Sequence, residues 1–196
     1  MPFISSPITT ERLCLFPATA KLYLLELHDR PAFASTLGAH VPDEWPPDQI
    51  TPEVIENFIG RIQARERKIW SFYWLLCQRV PEKPVLIGHG GFLAHRNGTL
   101  EIGYSLLAGY QGRGYATEAV RSMVQWASSS LGRDSIIAYT YPYLKASIRV
   151  LEKNGFTFKG KGPEEETIAY ELLSENEKSI HGSLEFRPDK FIQEII

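Results

Sequence analysis

The chain has 196 residues, 43% apolar, 12% aromatic and 22% charged, with 21 basic and 23 acidic side chains for a net charge of −2. That is the composition of a globular domain able to bury a sizeable core, and it excludes wholesale disorder, collagen-like repetition and coiled coil. No apolar run approaches the roughly 20 residues of a membrane-spanning helix, the start Met1-Pro2-Phe3-Ile4 has no secretory pattern, and the balanced charge leaves no footprint for nucleic acid.

Leu13 to Phe16 is a short strand with Leu13 and Leu15 on one face. Thr19 caps a helix to about His28 that buries Leu22, Leu25 and Leu27. A second short helix runs from Pro31 to Gly38, and Pro42, Pro46 and Pro47 make the next stretch a loop. Thr51, Pro52 and Glu53 open a clearer helix whose apolar stripe is Val54, Ile55, Phe58, Ile59 and Ile62. The period then becomes extended. Trp70 to Cys77, Val85 to Ala94 and Leu100 to Leu106 read as three antiparallel neighbours, joined by a turn over Arg79 to Lys83 and a hairpin at Arg96-Asn97-Gly98. A glycine-rich turn, Gly109 to Gly114, feeds a helix with Ala116, Ala119, Val120, Met123, Val124 and Ala127 at core spacing, ended by Gly132. Strand Ile136 to Tyr141, helix Ala146 to Asn154, and strands Phe156 to Lys159 and Thr167 to Leu173 follow. The order is α+β with a mixed, mostly antiparallel sheet.

One domain is expected over residues 1–173. Residues 174–196 form an extension in which Pro188 starts a short helix packed on the domain or on a partner subunit, leaving monomer and homodimer both open. Cys14 and Cys77 cannot build a disulfide framework and read as small core residues of a reducing, cytoplasmic compartment.

The most informative stretch is Tyr110-Gln111-Gly112-Arg113-Gly114-Tyr115-Ala116-Thr117-Glu118-Ala119. A glycine-rich turn between strand and helix lets unhindered backbone approach an anion while the first helical amides point at it. Such a turn suits a pyrophosphate, with Arg113 adding a charge-assisted contact; it also serves as a tight connection that binds nothing. It lacks the Gly-Lys-Ser/Thr ending of a Walker A loop and the spacing of the dinucleotide fingerprint.

The run resembles the acetyl-CoA signature Q/R-x-x-G-x-G/A of the GNAT acetyltransferases, with Gln111, Gly114 and Ala116 at its defined positions. Three further pieces resemble the RimJ/RimL-like branch, which acetylates ribosomal-protein N-termini: Thr10-Glu11-Arg12-Leu13, Glu101-Ile102-Gly103-Tyr104-Ser105-Leu106, and the Ala146 to Phe156 helix with its Gly-Phe ending. Together they cover residues 8–173 in the correct order. The resemblance implies a GNAT-type fold with a splayed strand pair at the acetyl-CoA site. It implies that strand Glu101 to Leu107 hydrogen-bonds the pantetheine arm and that the amides of Gly112, Arg113, Gly114, Tyr115 and Ala116 hold the pyrophosphate. It further implies that Leu106 and Leu107 contact the cofactor, that an amide near Leu106 stabilises the oxyanion, and that Ser147, beside the cofactor sulfur, protonates the departing thiolate. Two positions depart from wider patterns. Leu144 replaces the branch's usual Asn, a loss of about 1 kcal/mol of cofactor binding, and Leu151 stands where other GNAT branches carry a catalytic tyrosine.

Direct transfer needs a neutral amine. An α-amine with a pKa near 8 is neutral in about a tenth of molecules at pH 7, and a lysine amine far less often. Glu101 is the candidate base; its alternative is a structural carboxylate. Around Val41 to Asp48, Asp43 and Glu44 favour a cationic acceptor with Trp45 as a flat wall, or Trp45 pins the loop to the core. His89 and His95 are too far apart on one strand for a metal pair, so no metal is expected; Glu164 to Glu166, where the resembling branch sometimes places an acidic residue near the acceptor, read as a solvated run. The implied activity is direct acetyl transfer from acetyl-CoA to a primary amine, a peptide or protein N-terminus ahead of a small amine such as a polyamine, amino acid or antibiotic. A non-catalytic acyl-CoA-binding module is the alternative from another class.

Overall fold

A computed structural model describes residues 6–47, 50–64, 69–77, 83–95, 97–132 and 135–173. The C-terminal extension, the turn at 79–82 and Arg96 lie outside them. The strands are β1 (Ile8–Thr9), β2 (Leu13–Pro17), β3 (Ile69–Leu76), β4 (Val85–Ala94), β5 (Leu100–Leu106), β6 (Ile136–Thr140), β7 (Thr157–Lys161) and β8 (Ile168–Leu172). They form one sheet in the order β1-β2-β3-β4-β5-β6-β8-β7, antiparallel throughout except at β5–β6. Helices α1 (Ala20–His28), α2 (Arg30–Leu37), α3 (Pro52–Ala64), α4 (Tyr115–Leu131) and α5 (Lys145–Lys153) cover it. None of them is long and apolar enough to cross a membrane.

Strand β3 shows why the sheet is covered on both faces. Successive strand side chains alternate, and here both sets are apolar. Trp70, Phe72, Trp74 and Leu76 enter one core with Ala119, Val120 and Met123 of α4, while Tyr73 and Leu75 enter a second core with Leu22, Phe33, Ile55 and Ile59 of α1 to α3. The first helices start on side-chain caps: Thr19 accepts from the Leu22 amide at 3.2 Å, and Asp29 from Ala32 at 3.0 Å.

Tyr23, rather than Leu25 or Leu27, joins Leu22 as the fully buried side of α1. Its hydroxyl has partners only the folded sheet supplies, donating to Ser71 Oγ at 2.9 Å with His89 Nε2 at 2.7 Å. Glu26 organises the same layer, accepting from Tyr73 at 2.6 Å and from Trp45 Nε1 at 2.7 Å. Burial pushes its carboxyl up, against those two hydrogen bonds and Arg30. Arg30 in turn donates to the carbonyls of Pro42 and Trp45. The 41–47 loop is therefore nailed to α1 and to the start of α2. Cys77 departs from the expected core position: it is exposed at the end of β3, beside half-buried Cys14.

Helix α5 begins without a side-chain cap, because Leu144 occupies its N-cap position. Leu144→Asn is expected to stabilise the protein by up to about 1 kcal/mol, read as a higher urea midpoint at unchanged slope; an unchanged or lower midpoint contradicts this account of the helix start.

Candidate active site

The cleft exists because two parallel strands diverge. β5 and β6 pair only at Leu100↔Ile136 and Glu101↔Ile137, while β5 stays paired to β4 from Gly88↔Leu106 to Ala94↔Leu100. The Leu107 amide donates to Ile87 at 2.9 Å. In an antiparallel ladder alternate residues turn their amides to opposite sides, so those of Ile102, Tyr104 and Leu106 face the opening. The cleft has a volume of about 1140 Å³ and reaches from Phe58 and Arg61 on α3 past Glu101 and Gly103 to Gly112, Gly114 and Ser147. An extended chain with its own donors and acceptors fits such an unpaired strand edge.

At the end of β5 the chain makes a single 3-10 turn, Ala108–Tyr110, before α4. Gly112 and Gly114 have φ of 75° and 82°, left-handed values that glycine adopts without steric cost. Gln111 donates through Nε2 to the Leu106 carbonyl at 3.1 Å and ties the loop to the strand. Gly114 is the N-cap of α4 and has no side chain to satisfy the first-turn amides, which are left for an anion.

The loop is braced from behind. Glu118, in the first turn of α4, accepts from Thr10 Oγ1 at 2.5 Å, from the Arg12 amide at 2.9 Å and from Arg12 Nε at 2.7 Å. The Arg12 guanidinium lies 4.5 Å from the Tyr115 ring centroid and donates to the Arg113 carbonyl at 3.0 Å. Burial acts to raise the Glu118 carboxyl, but the Thr10 and Arg12 donors outweigh it and hold the group below the ordinary carboxylate range.

Across the splay stands Ser147, in the first turn of α5. Tyr104 of β5 reaches it, its hydroxyl 3.2 Å from the Ser147 carbonyl oxygen and 3.3 Å from Oγ. Burial, partly offset by the bond to Ser147, pushes the Tyr104 phenol up to about 12, so it stays protonated and can donate. The Tyr104 ring stacks on Trp74 at 6.3 Å. Trp74 fits only because β4 carries glycine beneath it, since a Cβ on Gly88 or Gly90 would lie 2.7 or 2.6 Å from the indole.

Glu101 faces the cleft near the point where β5 and β6 part, hydrogen-bonded to His95 Nε2 at 2.7 Å. His89 lines the floor. It is 4% exposed, stacked on Phe58 at 5.8 Å, and burial pushes its imidazole down to about 4, so it is neutral at physiological pH.

Two of the expected groups lie off the cleft. Leu107 is buried among the helices, its amide is committed to Ile87, and it is not part of the cleft lining. Trp45 is 4% exposed and bonded to Glu26, and with exposed Asp43 and Glu44 it lies off the cleft lining. The loop reaches the cleft at Ile50 instead. Sequence reasoning missed Tyr104, His95 and Glu118. Only His95 had a local signal, its place across the Asn97-Gly98 turn from Glu101.

Residues 19–157 match the family described as the acetyltransferase (GNAT) domain. The chain belongs to the GNAT acetyltransferase family. A curated relative, the uncharacterized N-acetyltransferase p20 of Bacillus licheniformis, is 35% identical over 85 residues, or 42% of this chain and 47% of the relative. The chain thus spans about half the length of that relative. Among solved structures, an acetyltransferase from Agrobacterium tumefaciens aligns with TM-score 0.59 and 22% identity over 88% of this chain and 96% of that one. RimL, a ribosomal L7/L12 α-N-protein acetyltransferase in complex with coenzyme A, aligns with TM-score 0.58 and 19% identity over 86% and 98%.

Because Glu118 sits below its ordinary range, its charged form adds stability above the unfolded value of about 4.3, and that stability is lost as pH falls through the lower folded value. Urea unfolding of the protein and its Glu118→Gln variant should differ fully above about pH 5 and converge below about pH 4.3. A gap that stays constant from neutral to acid pH contradicts the brace.

Proposed function

We propose that the protein transfers the acetyl group of acetyl-CoA directly to a primary amine, with the α-amine of a peptide or protein N-terminus as the preferred acceptor. The observation that carries the reading is the unpaired β5 edge ending in a braced, glycine-rich helix start. One element suits the amides of a pantetheine arm and the other a pyrophosphate, in the order in which acetyl-CoA presents them. Gln111 fixes the loop, and the main chain of Gly112, Arg113, Gly114, Tyr115 and Ala116 lies where the phosphates would be held. The Leu106 amide faces the opening and would stabilise the oxyanion that forms on the thioester carbonyl.

Ser147 gives the departing thiolate its proton, and Tyr104, bonded to both the Ser147 carbonyl and Oγ, positions it. Glu101 supplies the carboxylate that favours loss of a proton from the acceptor. An α-amine asks the least of that carboxylate, being about 250-fold more often neutral than a lysine side chain. RimL, with the same fold, carries a name that specifies a protein α-amine.

The test is CoA release against a panel of peptides, amino acids, polyamines and amine antibiotics, with acetyl-CoA affinity measured alongside. The expected outcome is turnover on peptide N-termini, a fall of about 10²-fold or more in kcat for Ser147→Ala, and unchanged acetyl-CoA affinity in that variant. Turnover confined to small amines overturns the acceptor class. Tight acetyl-CoA binding with no turnover on any amine makes the protein an acyl-CoA-binding module.

A further inference from the structure

The turn between β4 and β5 is closed by the Gly98 amide on the His95 carbonyl at 3.0 Å and the His95 amide on the Thr99 carbonyl at 2.9 Å. It places His95 and Glu101 side by side at the rim of the cleft, 32% and 33% exposed, with Nε2 and Oε2 2.7 Å apart. Both line the cleft beside Gly103, where an added Cβ would meet no atom within 4 Å, so the space in front of the pair is open. An ionised carboxylate only accepts hydrogen bonds, so Nε2 carries the hydrogen; in the neutral ring Nδ1 is then the proton acceptor.

Carboxylates and imidazoles differ as classes in fitness for taking a proton from an amine. Moving a proton from an α-amine near 8 to an ordinary carboxylate near 4.3 is unfavourable by about 5000-fold, and to an ordinary imidazole near 6.5 by about 30-fold. A carboxylate that fixes an imidazole's tautomer and balances its charge is the arrangement that makes histidine an effective base.

We propose that His95 takes the acceptor's proton on Nδ1, and that Glu101 is the positioning residue that holds Nε2–H and offsets the imidazolium. This rests on the acetyltransferase reading and specifies how Glu101 acts in it. The ammonium proton passes to Nδ1, the nitrogen lone pair attacks the thioester carbonyl carbon, and the C–S bond breaks as the tetrahedral intermediate collapses. The thiolate takes a proton from Ser147, which the second amine proton replaces, and His95 returns its own to solvent. Tyr139 of β6 also feels Glu101, its phenol pushed up by burial and by that charge. Arg61, His89, Lys153 and Glu164 line the same cleft.

The experiment follows CoA release against pH for the native protein, His95→Gln and Glu101→Gln, with ¹⁵N NMR of the His95 ring and calorimetric acetyl-CoA affinity on the same samples. The native kcat/KM is expected to decline on the acid side of the profile. His95→Gln should lose about 10²–10³-fold, with its acid-side decline moved to higher pH where it follows the acceptor amine itself, at unchanged acetyl-CoA affinity. Glu101→Gln, which keeps an acceptor for Nε2–H but removes the charge that offsets the imidazolium, should lose less and show a displaced decline, and neutral His95 should be the Nε2–H tautomer in the native protein. The proposal is overturned by an Nδ1–H tautomer in the native protein, and by His95→Gln keeping the native profile while Glu101→Gln abolishes it, which makes Glu101 itself the proton acceptor. A native protein with no turnover on any amine fails the acetyltransferase reading and the proposal with it, whereas native rates in His95→Gln fail the proposal alone.

Discussion

One carboxylate, Glu118, holds together the parts on which the candidate site depends. It receives three hydrogen bonds from the β1–β2 hairpin, and through Arg12 it braces both the Arg113 carbonyl and the Tyr115 ring. A loop with two left-handed glycines loses more conformational freedom on ordering than any other kind, and an anion that must order it spends binding energy doing so. The brace moves that cost into folding. Its hydrogen bonds go to a charged acceptor, the stronger class, and they reach the helix from residues more than 100 positions earlier in the chain.

The second constraint is the early end of the β5–β6 ladder. A parallel pair that continued would satisfy its own amides and leave no slot. Here the strands separate after two paired positions, and the gap is bridged on one side by the Tyr104 to Ser147 contact. That contact depends on Trp74, and Trp74 on two glycines of β4. Glycines in a strand interior, ordinarily a weakness, are here what lets Tyr104 reach Ser147 across a gap in the sheet.

What was legible in the sequence follows from how local the cause is. Caps at Thr19 and Gly132, the stripe of α3 and the β4–β5 hairpin are set by neighbours a few residues apart, and the structure places them as the pattern indicates. The insertion of β8 between β6 and β7 has no local cue, because a hairpin reads the same whichever of its strands pairs inward. Tyr23 has no local cue to set it above the leucines of α1, because its partners Ser71 and His89 are distant in sequence. Trp45 left two readings open, and Glu26, the partner that decides between them, lies on another element. The site divides the same way. The glycine loop could be found from its own residues, whereas Tyr104 and Glu118 acquire their roles only when strand, helix and hairpin meet.

The most direct test is a calorimetric titration of the native protein and of Glu118→Gln with acetyl-CoA. Removing a negative charge near a polyanion would, by charge alone, tighten binding. A loop that is anion-ready because Glu118 braces it predicts the reverse: one-to-one, micromolar binding in the native protein and at least about tenfold weaker binding in the variant. Equal or tighter binding in Glu118→Gln would contradict the brace, and no binding in the native protein at millimolar acetyl-CoA would contradict the donor site itself.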